Sequence, residues 1–301
     1  MHRMICSWPF GLAMAVVACI VTVLWLAVQP AGIAPKPASY PITKQIRYGF
    51  TVTNTTNQLI ENPKFIAFSP LPLTPNQKLV SLQANQAYTA EQDKLGNQKL
   101  EFKLAALAPF ASKTVIITAE MALTDQPNPV RLEPQQRQLF TAPERYVELQ
   151  SPAVIQATQQ FNDSQDTAQS IHRWLTLNIE DIGYVAKDRG AAYALKHRQG
   201  DCTEYMYSFV ALARSQDIPS RSLAGFWLEQ TSNLLRAGSY HNWAEFYDGK
   251  RWLLADPQRN VFDQNYSNYI AFRHISEHEE HPMGSAERFM AHDPRLRIRM
   301  N

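Results

Sequence analysis

The sequence predicts an α+β protein: an N-terminal transmembrane helix, an antiparallel β-sandwich domain, and a domain in which one helix is followed by antiparallel strands. Three observations predict it. The stretch from Phe10 to Val28 is apolar and carries no charge, long enough to cross a bilayer as a helix. Residues 42–124 break into short alternating runs separated by turn residues, the pattern of a sandwich. After Ser151 the apolar spacing changes to the helical period.

Arg3 precedes the apolar stretch, and Trp8 and Trp25 flank its ends as interfacial aromatics would. No small-residue cleavage site follows Val28, so a retained signal-anchor over residues 1–33 is expected. Cleavage, or lipidation at Cys19 in the VVAC stretch, stays open. The expected location is a single N-terminal anchor with the rest of the chain periplasmic or extracellular. APKPASYP at residues 34–41 is a proline-rich spacer.

In IRYGFTVTN, Ile46, Tyr48, Phe50 and Val52 alternate with polar or small residues, which is the period of a half-buried strand. KFIAF, KLVSL, AYTAEQ, QKLEFKL and KTVIITAEMAL continue the series. Residues 125–150, rich in proline and glutamine, read as a linker or a strap across the next domain. Residues 151–301 form the last domain. In it Ile171, Trp174, Leu175 and Ile179 lie on one helical face. The C-terminal RLRIRM reads as a basic surface tail.

Composition excludes several classes. With 45% hydrophobic and 19% charged residues in a 301-residue chain, there is a core to bury. A net charge of +2 with no basic stripe gives no nucleic-acid footprint. The 3 cysteines are Cys6, Cys19 and Cys202, and the first two sit in or beside the apolar stretch. A disulfide framework is therefore excluded, and Cys202 is either a buried inert thiol or a reactive one.

Cys202 opens the run CTEYMYSFVALAR, in which Tyr205, Phe209, Leu212 and Ala213 share its helical stripe. Gly200-Asp201 supplies a flexible turn and a capping residue. A thiol in the first turn of a helix meets the positive end of the helix dipole and unpaired backbone N–H groups, both of which favour the nucleophilic thiolate. Downstream, HNWAEFYDGKRWLLADP contains Asp248-Gly249 between two alternating runs, a two-residue hairpin signal. With that turn Tyr247 faces Lys250, and counting outward His241 faces Asp256. The register would let Asp256 hydrogen-bond the His241 ring. The parts make a thiol mechanism, with Cys202 as nucleophile, His241 as base and Asp256 orienting the imidazole. The Cys202 N–H would be one oxyanion donor, with Tyr184 and Trp243 as candidates for the second.

GDCTEYMYSFVALARSQDIPSR, the HNW triplet and the DGKRW–LLADP end together resemble the transglutaminase-like superfamily of papain-like cysteine acyltransferases and hydrolases. The resemblance covers about residues 150–265. It implies a papain-like core whose nucleophile helix packs on an antiparallel sheet, with Cys202, His241 and Asp256 at the catalytic positions. Asn242 stands where alanine is common, and Asp217 where glycine is common. The resemblance implies thiol chemistry on an amide bond through a thioester, with a polypeptide or other amide-containing substrate. Hydrolysis of a peptide or isopeptide bond is the first expectation. The alternatives are cross-linking of Gln to amines, or a non-catalytic scaffold that grips a polypeptide or glycan. No cofactor and no metal are expected, since no loop is dense enough in carboxylates for calcium. His274, His278 and His281 fall at helical spacing, which reads as a polar surface helix rather than a zinc site.

Overall fold

In this computed structural model, residues 37–161, 166–229, 233–277 and 287–301 are described. Strands β1 (Ile42–Asn54), β2 (Lys64–Phe68), β3 (Gln77–Ala84), β4 (Tyr88–Gln92), β5 (Gln98–Lys103) and β6 (Ser112–Leu123) come first. Short helices α1 (Pro134–Leu139), α2 (Pro152–Thr158), α3 (Thr167–Asn178) and α4 (Gly190–His197) follow, with β7 (Glu180–Asp181) between the last two. Next come β8 (Gln199–Gly200), α5 (Cys202–Arg214), β9 (Ser220–Trp227), β10 (Tyr240–Tyr247), β11 (Trp252–Asp256), β12 (Val261–Phe262) and β13 (Tyr269–Ile275). The chain ends in β14 (Phe289–Met290) and β15 (Leu296–Met300).

The α+β expectation is corrected by this inventory. Among the described residues the protein is mostly sheet, with five short α-helices of which the longest has 13 residues. At about 1.5 Å per residue such a helix is well short of a bilayer. No described helix is long and apolar enough to cross a membrane, and the stretch 10–28 lies outside the described residues. The helical period after Ser151 holds only over short segments, because Ser220 onward is laid down as strand.

Two four-stranded sheets, ordered β15-β1-β6-β3 and β14-β2-β5-β4, share a core. Along β1 the alternation turns Ile46, Tyr48, Phe50 and Val52 inward, all buried. They lie opposite buried residues of β6, with Tyr48 paired to Ile117 and Phe50 to Val115. Phe50 meets Phe65 of the second sheet edge-on at 5.7 Å, and Phe65 stacks on Phe102 at 4.8 Å. The RLRIRM segment, expected as a tail, is a strand instead. Leu296 and Met300 are buried and Arg297 and Arg299 are more exposed as β15 pairs with β1.

The third sheet has the order β12-β11-β10-β9-β13. Phe226, Ile270 and Phe272 of this sheet join the sandwich core. Ala244, Phe246, Leu253 and Ala255 pack instead with α5. Every residue of α5 from Thr203 to Arg214 is buried, as for a helix covered on all sides. The strap between sandwich and helices is pinned to the far end of this sheet. Val130 N–H donates to Lys250 O at 2.9 Å, and the Phe140 ring meets Trp252 at 5.0 Å.

The end of α5 rests on Arg214, whose side chain is 2% exposed. Its guanidinium donates to Ser220 O at 3.0 and 2.8 Å, to Ala142 O at 2.6 Å and to Glu144 Oε1 at 2.8 Å. Asp217 then takes a left-handed φ of 55° to end the helix, which explains why glycine would suit that position. Arg214→Ala should lower stability by about 3–5 kcal/mol, because it strands a buried carboxylate and two carbonyls. The expected reading is a fall in the urea midpoint at unchanged slope.

Candidate active site

Cys202 is the first residue of α5 and is partly exposed. Its position is set by the residues on either side. Asp201 caps the helix, with Oδ1 accepting Thr203 N–H at 2.9 Å and Oδ2 accepting Val185 N–H at 2.8 Å. Glu204 closes the box by accepting Asp201 N–H at 3.2 Å. The same carboxylate, 0% exposed, accepts Arg189 N–H at 2.9 Å and lies 3.5 Å from the Arg189 guanidinium. Burial raises the Glu204 pKa, opposed by these N–H donors and by Arg189. Gly200 is required by packing rather than by flexibility: a Cβ there would lie 2.4 Å from Glu204 Cβ. One capping box thus fixes the thiol and the 181–189 loop together.

His241 lies on β10 and Asp256 ends β11. The hairpin register differs from the expected one. Tyr247 pairs with Trp252 and Glu245 with Leu254, so the loop is Asp248–Arg251, not a two-residue turn. Asp248 makes the longer loop, because its Oδ1 accepts both Lys250 and Arg251 N–H, at 2.7 and 2.6 Å. The pairing is displaced by two residues. Strand side chains have a period of two, so Asp256 keeps the face of His241 as a diagonal neighbour. His241 Nε2 and Asp256 Oδ2 are 2.6 Å apart.

Asp256 is 1% exposed and holds more than the imidazole. Tyr269 donates its hydroxyl to the same Oδ2 at 2.7 Å, and Arg259 N–H donates to Oδ1 at 3.2 Å. The backbone carbonyl of Asp256 lies 3.3 Å from His172 Nε2. Burial and the Asp256 charge push the Tyr269 pKa far up, so its phenol stays protonated as a donor. Neither Tyr269 nor His172 was singled out in the sequence. They come from β13 and α3, and no motif links them to the HNW or ADP segments.

Burial is the largest single influence on His241 and acts to lower its pKa. The Asp256 charge and hydrogen bond, with Cys202 adding to both effects, override it and lift the pKa to about 9. Nε2 is committed to Asp256, which leaves Nδ1 as the ring nitrogen available to Cys202. Gly225, paired with His241 across the sheet, has no room for a side chain: a Cβ would lie 2.0 Å from Ile270 O and 2.9 Å from the Trp243 ring. Asn242 ties β10 to the Cys202 helix by donating to Thr203 Oγ1 at 2.9 Å.

Cys202 and His241 line one open cavity of about 430 Å³ with Tyr184, Asp181 and Arg259. Of the two candidates for a second oxyanion donor, Tyr184 is 78% exposed at this cavity, whereas Trp243 is 1% exposed in an apolar cluster and does not line it. No strap residue lines the cavity. His274 sits on β13 and not on a helix, and His278 and His281 lie outside the described residues. Among the described residues no group of three or more His, Cys, Asp or Glu is placed to hold a metal.

An imidazole whose native pKa is raised to about 9 stabilises the fold fully below its unfolded value of about 6.5, and that stability is lost as pH rises through 9. The melting-temperature gap between wild type and Asp256→Asn should therefore be widest below pH 6.5. It should narrow as pH rises through about 9.

A structure from Cytophaga hutchinsonii, described as a candidate cysteine protease, aligns with a TM-score of 0.56 at 16% identity, covering 86% of this chain and 92% of that one. The periplasmic domain of TgpA from Pseudomonas aeruginosa aligns with a TM-score of 0.36 at 15% identity, over 71% of this chain and 88% of that one. No curated protein matches the chain. Residues 153–257 match the family model for the transglutaminase-like superfamily, a segment that runs from α2 through Asp256.

Proposed function

We propose that this protein is a thiol enzyme that hydrolyses peptide or isopeptide bonds through Cys202, His241 and Asp256. The observation that carries the proposal is the buried 2.6 Å contact between His241 and Asp256, joined to a His241 pKa that Asp256 and Cys202 together raise to about 9. A raised imidazole pKa means that imidazolium persists across neutral pH, the state that stabilises an adjacent thiolate.

In this reading the Cys202 thiolate attacks the amide carbonyl carbon. The oxyanion that forms faces the N-terminus of α5, where no hydrogen bond among the described residues uses the Cys202 N–H. His241 imidazolium gives its proton to the leaving nitrogen, the C–N bond breaks, and a thioester and an amine result. Neutral His241 then takes a proton from water, whose oxygen attacks the thioester carbonyl. Collapse releases a carboxylic acid and returns the thiolate and imidazolium. Asp256 holds the ring through Nε2, so that Nδ1 performs both transfers. Support for water as the acceptor comes from the Cytophaga hutchinsonii fold neighbour, whose description names protease chemistry.

The test uses the full chain, read on the Cys202 peptide by mass spectrometry because Cys6 and Cys19 are also thiols. Iodoacetamide at pH 6 should label Cys202 in wild type and at least about tenfold more slowly in His241→Ala, which lacks the imidazolium partner. Cleavage of a mixed peptide pool should fall roughly 10³-fold or more in Cys202→Ser. Slow labelling in both proteins would overturn the thiol reading. Amine adducts, formed in place of acids when a primary amine is added, would move the assignment to acyl transfer.

A further inference from the structure

We infer that Arg259 is a carboxylate-binding subsite of this centre, so that the enzyme's substrates are acidic peptides with a carboxylate beside the scissile amide. The inference rests on the proposed function and names its substrate class.

Three observations carry it. Arg259 lies in the turn that follows Asp256, and its N–H donates to Asp256 Oδ1 at 3.2 Å, so its backbone is keyed to the group that orients His241. Its guanidinium lies over an aromatic platform, with Cζ 3.5 Å from the centroid of the Trp227 ring. It lines the same cavity as Cys202 and His241. Stacking fixes the plane of a guanidinium while leaving its edge N–H groups free, which is the arrangement that takes a carboxylate bidentately.

The cavity offers this cation no partner of its own. No ion pair among the described residues includes Arg259. Asp201 has both oxygens committed, to Thr203 and Val185 N–H. Asp181 accepts Gly183 N–H at 2.9 Å within its own loop. Asp256 is engaged by His241 and Tyr269. A cation held on an aromatic face, at a cavity whose carboxylates form no ion pair with it among the described residues, favours an anionic guest. Arg259 is exposed, and its contact with Trp227 restrains a side chain that would otherwise sample many rotamers in water.

Two alkylating reagents of similar size differ in the property at issue: iodoacetate carries a carboxylate and iodoacetamide does not. Their rates on Cys202 in the full chain give a ratio in which the reactivity of the thiol cancels. Arg259→Gln should lower the iodoacetate-to-iodoacetamide ratio about fivefold, the effect of one unit charge about 4 Å away in a watery site. Arg259→Lys should recover part of it, since the charge is restored but the fork and the stacking are not. In a peptide pool whose members differ only by Glu or Gln, wild type should prefer the Glu member at one position next to the cleaved bond. Arg259→Gln should bring the pair towards parity. A reagent ratio unchanged in Arg259→Gln, or a wild-type enzyme indifferent to Glu against Gln, overturns this inference and leaves the thiol mechanism standing. Failure of both reagents to label native Cys202 overturns the two together.

Discussion

The buried carboxylate of Asp256 is the constraint on which the active region depends. Four segments converge on this one residue: β10 through His241, β13 through Tyr269, the following turn through Arg259 N–H, and α3 through His172. A carboxylate that is 1% exposed is tolerated in a sheet only if its lone pairs are used. Here both oxygens are used, and the donors that satisfy them are the groups that define the site. Satisfying a buried charge and aligning an imidazole are therefore one requirement. Loss of any donor would leave both less well met.

A second knot works from the other side. Asp201 and Glu204 are bound to each other and to the 181–189 loop, and they set where the thiol emerges. The two knots are joined by the bond from Asn242 to Thr203, between the strand of the imidazole and the helix of the thiol. Alanine at that position would keep the packing but give up this tie. The helix that carries the thiol is buried along its length, so it has little freedom to drift. The distance between the two reacting groups is governed by packed elements rather than by a mobile loop.

Much of the site could be read from local chemistry. Gly200-Asp201-Cys202 marks a capped helix start because capping depends on residues next to one another. The contact between His241 and Asp256 was legible for a subtler reason. A two-residue turn at Asp248-Gly249 is too short, since Asp248 recruits two backbone N–H groups rather than opening a tight turn, but an even displacement leaves the strand face unchanged. Tyr269, His172 and Arg259 were not legible, because nothing in a strand Tyr or a turn Arg announces a partner brought near only by the sheet. The balance of helix and sheet is also poorly legible in the sequence. Short helical runs after Ser151 resemble longer ones until the strands from Ser220 onward are seen to take the rest of the domain. The C-terminal alternation of Leu296, Ile298 and Met300 was visible, but its arginines gave it the look of a solvated tail.

That last strand has a consequence for how the chain reaches its final form. β1 is the centre of the first sheet only because β15 lies against it, and Thr51 bonds with Asn301 across 250 residues of sequence. On a ribosome, the strand made early must wait with one edge bare until its partner, 250 residues further on, is synthesised. An unpaired edge beside Phe50 and Val52 is a template for any other extended chain. Closing a loop of that span also comes late, after the local contacts have formed. The arginines at 297 and 299 therefore sit on the segment whose arrival ends the period of greatest risk. Loss of β15 would return the molecule to that vulnerable state without touching the thiol.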